Sequence, residues 1–437
     1  MPGRRMVATT LCLSLAATAL LAGSGWTAGP RRADPRAAAM RAEAETLLVA
    51  GQFARADSAF ARLLEADPGD TLALRRRASI ALLGNHTADA RRWLNRLLAR
   101  VPDHRAGRAL LAESYVREDD YAHAAPLVRA LGKEGRARQL ESFAGLTPYR
   151  MSGGATEVTF VQTDPLPVIQ VRVNGSAPVF FIIDTGGGDI ALDDVFADSV
   201  GARTFGADSG TFAGGKRGGF VYGRIDSITL GSLTVRNVPV QILSTRRFAG
   251  AAGGRRVDGI LGTVFLYHLI ATLDYPGGKL VLRPRTAESE AEVERMTRDG
   301  NDSTAVVPFW MTGDHYMVTW GRINDSVPLL WFVDTGLAGA GFTCPEATLH
   351  EGKIDLAHAP SFDGQGAGGK VSVQPFAVDR LSLGPFERRG TAGFFGPFPP
   401  TLEYGLGFRI AGLISHGFLR AYRITFDFVH MRYVLTT

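Results

Sequence analysis

Hydrophobic and polar positions along the chain fall into three successive textures. Met6 to Ala22 is almost uninterruptedly apolar and follows the charged start Arg4-Arg5. It is too short and too rich in small residues for a spanning helix, and Ala22, Gly23, Ser24, Gly25 and Ala28 continue that small-residue character. Residues 36–145 are rich in Ala, Leu and Arg with almost no strand-like alternation, which predicts helices. From Val158 onward, alternating β-branched and aromatic runs are punctuated by Gly and Pro, which predicts short strands. The stretch 286–304 interrupts this texture with Glu288, Glu290, Glu292 and Glu294, then Asp299-Gly300-Asn301-Asp302. It reads as a surface linker with room for a short helix.

The helical stretch repeats with a period of 34. Ala44, Ala78 and Ala112 fall in step, as do Ala56, Ala90 and Ala124, then Leu63, Leu97 and Leu131. Phe53 and Tyr121 share one aromatic slot where the middle unit has Thr87, and Pro68 and Pro102 each follow a unit's second helix. This register resembles the tetratricopeptide repeat, a helix–turn–helix unit of that length. Three units are about the minimum that bury a shared core. The resemblance implies an all-α solenoid over 36–145 that either binds a protein partner or acts as a spacer.

The β region is internally duplicated. Arg172-Val-Asn174 through Pro178, then Val-Phe-Phe-Ile-Ile-Asp184-Thr185-Gly186, returns as Arg322-Ile-Asn324 through Pro328, then Leu-Leu-Trp-Phe-Val-Asp334-Thr335-Gly336. Asp226 to Gly231 pairs with Asp379 to Gly384, and Gly259-Ile-Leu-Gly262 pairs with Gly412-Leu-Ile-Ser415. Leu273-Asp274-Tyr275 matches Phe426-Asp427-Phe428. Two homologous lobes follow, 152–285 and 305–437, with 286–304 between them.

Each lobe carries Asp-Thr-Gly at the end of an apolar strand, and a short apolar run between glycines follows further on. In that duplicated context the pair resembles the pepsin- and retropepsin-like aspartic proteases. The resemblance implies an all-β bilobal fold and a peptide or protein substrate. Two carboxylates a hydrogen bond apart cannot comfortably both ionise. They share a proton, so one activates water as general base while the other polarises the scissile carbonyl. By resemblance Asp184 and Asp334 are that catalytic pair. Thr185 and Thr335 bond across the lobe interface, Gly186 and Gly336 turn the loops and aim N–H groups at the carboxylates, and Ile260-Leu261-Gly262 and Leu413-Ile414 brace the loops from beneath. Where the family often has Ser, Thr or Ala after Asp-Thr-Gly, this chain has Gly187 and Leu337. An outer hydroxyl is therefore missing from both lobes.

Gly210 to Lys216 and Gly364 to Lys370 match the G-x-x-x-x-G-K part of a phosphate loop. Neither is followed by Ser or Thr, and neither sits between a strand and a helix of a parallel sheet. Their corresponding places in the two lobes predict hairpin tips. In the resembling family such a hairpin closes over substrate, which makes Phe212, Gly214 and Gly215 candidate flap residues. Phe220 and Tyr222 are either substrate-facing or core. The aromatic, proline-rich segment 393–409 reads as a loop beside the cleft that makes subsites unequal, or as an insertion packed on the surface.

Composition narrows the alternatives. With 437 residues, 45% hydrophobic and 21% charged, the chain has apolar material for two or three domains and is neither disordered nor collagen-like. The net charge of +5 comes almost wholly from arginines scattered among acids, and Arg75-Arg76-Arg77 reads as a helix face. Nucleic acid is not an expected partner. Of the two cysteines, Cys12 lies in the leader and Cys344 reads as a small buried residue. His350-Glu351 lacks a histidine at metal spacing, so no metal site and no cofactor are expected. Residues 1–28 read as an export signal. That predicts a periplasmic or extracellular protein, with membrane attachment only if the leader stays uncleaved. The reading is an exported aspartic endopeptidase behind helical repeats. The alternative is a non-catalytic exported peptide-binding or scaffolding protein.

Overall fold

The computed structural model describes residues 35–211, 217–298, 304–313, 316–356, 360–366, 369–398 and 400–437. The leader 1–28 and the flap candidates Phe212, Gly214 and Gly215 lie outside these residues. Among the described residues no helix is long and apolar enough to cross a membrane.

The first part is seven helices: α1 (Pro35–Val49), α2 (Phe53–Ala66), α3 (Thr71–Leu83), α4 (Thr87–Arg100), α5 (Arg105–Val116), α6 (Tyr121–Ala130) and α7 (Glu134–Glu141). They form because the apolar positions fall on one stripe. In α2, Phe53, Ala56, Ala59, Phe60, Leu63 and Leu64 are all buried, an i, i+3, i+4, i+7 pattern. The alanines in step at Ala44 and Ala78, and at Ala56, Ala90 and Ala124, have no exposed surface, so paired helices approach closely there. Asp70 and His104, again 34 apart, cap α3 and α5 by accepting N–H groups one turn in. The turn inside each helix pair is closed by a left-handed residue at the same phase, Gly51, Asn85 and Asp119.

Lobe 1 contains β1 (Arg150–Ser152), β2 (Thr156–Thr159), β3 (Val168–Val173), β4 (Val179–Ile183), β5 (Ile190–Leu192), β6 (Arg203–Thr211), β7 (Arg217–Leu230), β8 (Leu233–Ile242), β9 (Gly259–Leu261), β10 (Leu269–Asp274) and β11 (Lys279–Pro284). Lobe 2 contains β12 (Thr304–Pro308), β13 (Trp310–Thr312), β14 (Tyr316–Ile323), β15 (Leu329–Asp334), β16 (Phe342–Cys344), β17 (Phe362–Gly366), β18 (Gly369–Leu383), β19 (Phe386–Phe395), β20 (Gly412–Ser415), β21 (Arg423–Asp427) and β22 (Arg432–Thr436). In lobe 1 the pairings β3-β4-β9-β5-β8-β7-β3 close a six-stranded barrel. In lobe 2 the equivalent strands close the same circuit, β14-β15-β20-β16-β19-β18-β14. The acidic segment between the lobes forms a helix over Ala287–Arg298.

The lobes meet in a six-stranded sheet ordered β12-β22-β21-β10-β11-β2, three strands from each half. At its centre Thr272 pairs with Thr425, their hydroxyls 2.8 Å apart. These two threonines are equivalent positions of the duplication, so the pseudo-two-fold axis passes through this contact.

The helical region packs on both lobes through its within-pair turns. Phe53 meets Trp310 and Phe408 edge-on, with ring centroids 5.1 and 5.0 Å apart. Asn85 Nδ2 donates to the Tyr267 hydroxyl at 3.1 Å, and His268 Nε2 lies 3.1 Å from the Asp119 carboxylate. The buried Arg117 donates to the carbonyls of Met311 and Gly313 at 3.0 and 2.6 Å. The segment 393–409, expected as a cleft loop or a surface insertion, thus sends Phe408 into the helical region's core.

Candidate active site

Strand β4 delivers Asp184 and β15 delivers Asp334. Both strands are almost wholly buried, which fixes the loops that follow them. Beneath each loop runs a parallel neighbour. β9 pairs with β4 through Ile183↔Leu261, and β20 pairs with β15 through Asp334↔Ser415. Thr263 N and Val264 N, at the start of the helix after β9, donate to the carbonyls of Gly187 and Gly188 at 2.9 and 3.1 Å. The Thr263 hydroxyl donates to Thr185 O at 2.9 Å.

The two loops interlock symmetrically. Thr185 N donates to Thr335 Oγ1 at 2.9 Å, and Thr335 N donates to Thr185 Oγ1 at 3.0 Å. Each hydroxyl in turn donates to the opposite strand, Thr185 to Val333 O at 3.0 Å and Thr335 to Ile183 O at 3.1 Å. Both threonines are fully buried, so all four bonds are shielded from water.

That interlock sets the carboxyl groups face to face. The side chains of Asp184 and Asp334 are hydrogen bonded to each other. Gly186 N donates to Asp184 at 2.8 Å and Gly336 N to Asp334 at 2.7 Å. Burial pushes the Asp334 carboxyl well above the usual carboxylate range, and the facing Asp184 charge adds to that. The N–H groups of Gly336 and Gly186 pull it partly back.

Glycine at 186 and 336 has a reason other than the sharp turn expected from the sequence. Neither residue has a left-handed φ. Each lies against the opposite carboxyl group. A Cβ on Gly186 would sit 2.6 Å from Asp334 Oδ1, and one on Gly336 would sit 2.2 Å from Asp184 Cγ. The missing side chain is the space into which the facing aspartate fits.

A family model described as aspartyl protease matches residues 169–265, and one described as tetratricopeptide repeat matches residues 47–114. The chain joins a tetratricopeptide-like region to an aspartyl-protease-like domain. Comparison with curated proteins finds no match. The protease match spans most of lobe 1, with Asp184 inside it. Asp334 lies beyond it, in the lobe that duplicates it.

Within the protease-like domain the other candidates separate. The stems of both glycine hairpins are antiparallel pairs, Gly210↔Gly218 and Gly366↔Gly369, so neither is a phosphate loop. Tyr222 is buried, edge-on to Phe220 and facing Arg136 of α7, so it belongs to the packing alternative. Cys344 is buried and its thiol is pushed up to about 12 by that burial, which suits a packing role. Asp274 and Asp427 end strands and accept turn N–H groups, Asp274 from Gly277 and Asp427 from His430.

Two contributors were not visible in advance. Ser415 stands where lobe 1 has Gly262, and its hydroxyl bonds the Asp334 carbonyl and accepts Leu337 N at 3.1 Å. The mismatch between the two braces was the only signal for it. His416, next in the chain and 1% exposed, lies 2.9 Å from Asp164 of lobe 1. Burial pushes its imidazole down, opposed by that carboxylate.

Proposed function

We propose that the protease-like domain is an aspartic endopeptidase in which Asp184 and Asp334 hydrolyse a peptide bond through one shared proton. The observation that carries this reading is the pair itself: two carboxyl groups, one per lobe, hydrogen bonded at the meeting point of two interlocked loops. Asp334, raised by burial and by its neighbour, holds the proton, and Asp184 carries the charge. Asp184 then takes a proton from water as the water oxygen adds to the scissile carbonyl carbon, while Asp334 gives its proton to the carbonyl oxygen. On collapse the carbon–nitrogen bond breaks as Asp184 gives its proton to the leaving nitrogen and Asp334 takes one back from a hydroxyl of the tetrahedral intermediate, which restores the dyad. The buried grip supports this chemistry because it fixes both acids before substrate arrives.

The same reading takes a peptide or protein as substrate and a protein as the partner of the helical repeats. The charged and apolar leader supports an exported location, with anchoring if it is retained. The test is a peptide-library cleavage profile between roughly pH 3 and 8, run on the full chain and on Asp184→Asn and Asp334→Asn. Cleavage by the wild type that both variants lose is the expected result. Peptide binding without cleavage at any pH overturns the enzyme and leaves a binding protein.

A further inference from the structure

The Asp184 loop continues Asp184-Thr185-Gly186-Gly187-Gly188-Asp189. Three consecutive glycines give a backbone with little preference for one path. The far end of this loop is held from outside its own lobe. Arg136 Nη1, on α7 of the helical region, lies 2.8 Å from Asp189 Oδ2, and the two side chains are 12% and 2% exposed. Arg136 is itself aimed by Gln139, whose Oε1 accepts from it at 2.6 Å. Gln139 is fully buried and donates to Val240 O at 3.0 Å and to the Gly223 carbonyl, on β8 and β7.

One turn of α7 therefore grips both the catalytic loop and the stem of the hairpin above it. Gly135 is part of the same contact, since a Cβ there would sit 3.1 Å from the Gly206 carbonyl carbon at the bulge of β6. By the register of β5 and β16 on their braces, the equivalent of Asp189 in lobe 2 is Gly341, which offers no side chain to be held. Lobe 2 instead carries the bulkier Leu337-Ala338 in its loop and secures it with the Ser415 hydroxyl. Of the two loops, the one with the looser sequence has its far end bonded to the helices.

We infer that Arg136 is a positioning residue for Asp184: through the buried Asp189 it sets the path of the triglycine loop. This rests on the peptidase reading above. Arg136 is a cation bonded directly to this buried carboxylate, and losing such a partner in a buried site is strongly unfavourable, so Asp189 moves when Arg136 is lost. The displacement runs along Gly188 and Gly187, whose carbonyls accept Val264 N and Thr263 N, to Asp184. The helical region is then part of the catalytic unit as well as a tether.

The experiment uses the full chain with Arg136→Met, Arg136→Lys and Asp189→Asn. Cleavage of one wild-type substrate is measured alongside amide exchange of the peptide covering 184–190. A displacement on the ångström scale predicts a kcat loss of about ten- to a hundredfold in Arg136→Met. KM should stay within about twofold, exchange at 184–190 should accelerate, and Arg136→Lys should recover most of the loss. Asp189→Asn keeps the shape without the charge and should also lose kcat, which covers a failure of Arg136→Met to fold. Wild-type kcat and wild-type loop exchange in folded Arg136→Met overturn the inference. If the wild type cleaves nothing, the peptidase reading falls, while loop exchange in Arg136→Met against Arg136→Lys still decides whether Arg136 holds the loop.

Discussion

Replacing Gly336 by Ala perturbs the dyad without touching either acid. The added Cβ would lie 2.2 Å from both Asp184 Cγ and Asp184 Oδ1, so Asp184 must retreat by about 1.2 Å to reach an ordinary 3.4 Å contact. At Gly186 the nearest Asp334 atom is 2.6 Å away, and the required retreat is about 0.8 Å. The carboxyls cannot absorb this as a flexible surface side chain would, because the interlocked threonines fix both loops. A misplacement near 1 Å costs on the order of a hundredfold in rate, or about 2.7 kcal/mol of barrier. Gly336→Ala should therefore lower kcat/KM by about a hundredfold, and Gly186→Ala by less. Moving the acids apart also weakens the effect of the Asp184 charge on Asp334. The raised pKa falls, and the alkaline limb of the pH–rate profile moves to lower pH. The assay is kcat/KM against pH on one cleaved peptide, with circular dichroism to verify folding. Folded Gly336→Ala with wild-type rate and profile refutes the reasoning, and a larger loss at Gly186 contradicts the geometric ranking.

Two further outcomes follow from the same contacts. Because the folded pKa of Asp334 is raised, its contribution to stability is fully present below its unfolded value near 3.9. That contribution is lost as pH rises through the folded value. Asp334→Asn should therefore melt higher than wild type at pH 7, with the difference closing toward pH 3; an unchanged difference across that range removes the assigned burial. In the docking edge, Gly51 has φ +71° and a Cβ there would lie 2.5 Å from Leu330 Cδ1. Gly51→Ala should cost about 2–4 kcal/mol in denaturant unfolding from left-handed strain and overpacking, and wild-type stability would show that this edge is not packed on lobe 2.

What the sequence made legible was whatever repeats. The period of 34 exposed Ala44, Ala78, Ala56, Ala90 and Ala124 because a helix pair buries the same phase in every unit. The duplication exposed both Asp-Thr-Gly loops because each lobe builds its loop from the same strand and brace. Features that break the symmetry were not legible. Ser415 works where its counterpart is Gly262, and Asp189 has Gly341 as its equivalent, so alignment of the halves treats them as noise. Composition marks Phe408 and the 393–409 segment as irregular but does not say what covers them. Local pattern reads the glycines of the two motifs as turn formers that aim N–H groups at the carboxylates, whereas the constraint on their size comes from a carboxylate 148 or 152 residues away, which no local pattern encodes.

The helical region was open between partner-binding face and spacer, and its contacts fit neither description alone. A spacer would touch one lobe or none. Here successive turns at one phase of the repeat reach both: Gly51 and Phe53 on lobe 2, Asn85 and Asp119 on lobe 1 through Tyr267 and His268, and Arg117 back on lobe 2. Tyr267 and His268 end the short helix that braces the Asp184 loop and lead into β10, which forms the central pair of the interlobe sheet. The helices thus hold the lobes at the segments that connect the Asp184 loop to the interlobe sheet. With the threonine interlock and the Thr272–Thr425 contact, three separate layers fix how the lobes face each other. That redundancy suits a centre whose two acids come from opposite halves, since a rotation of either lobe would separate them.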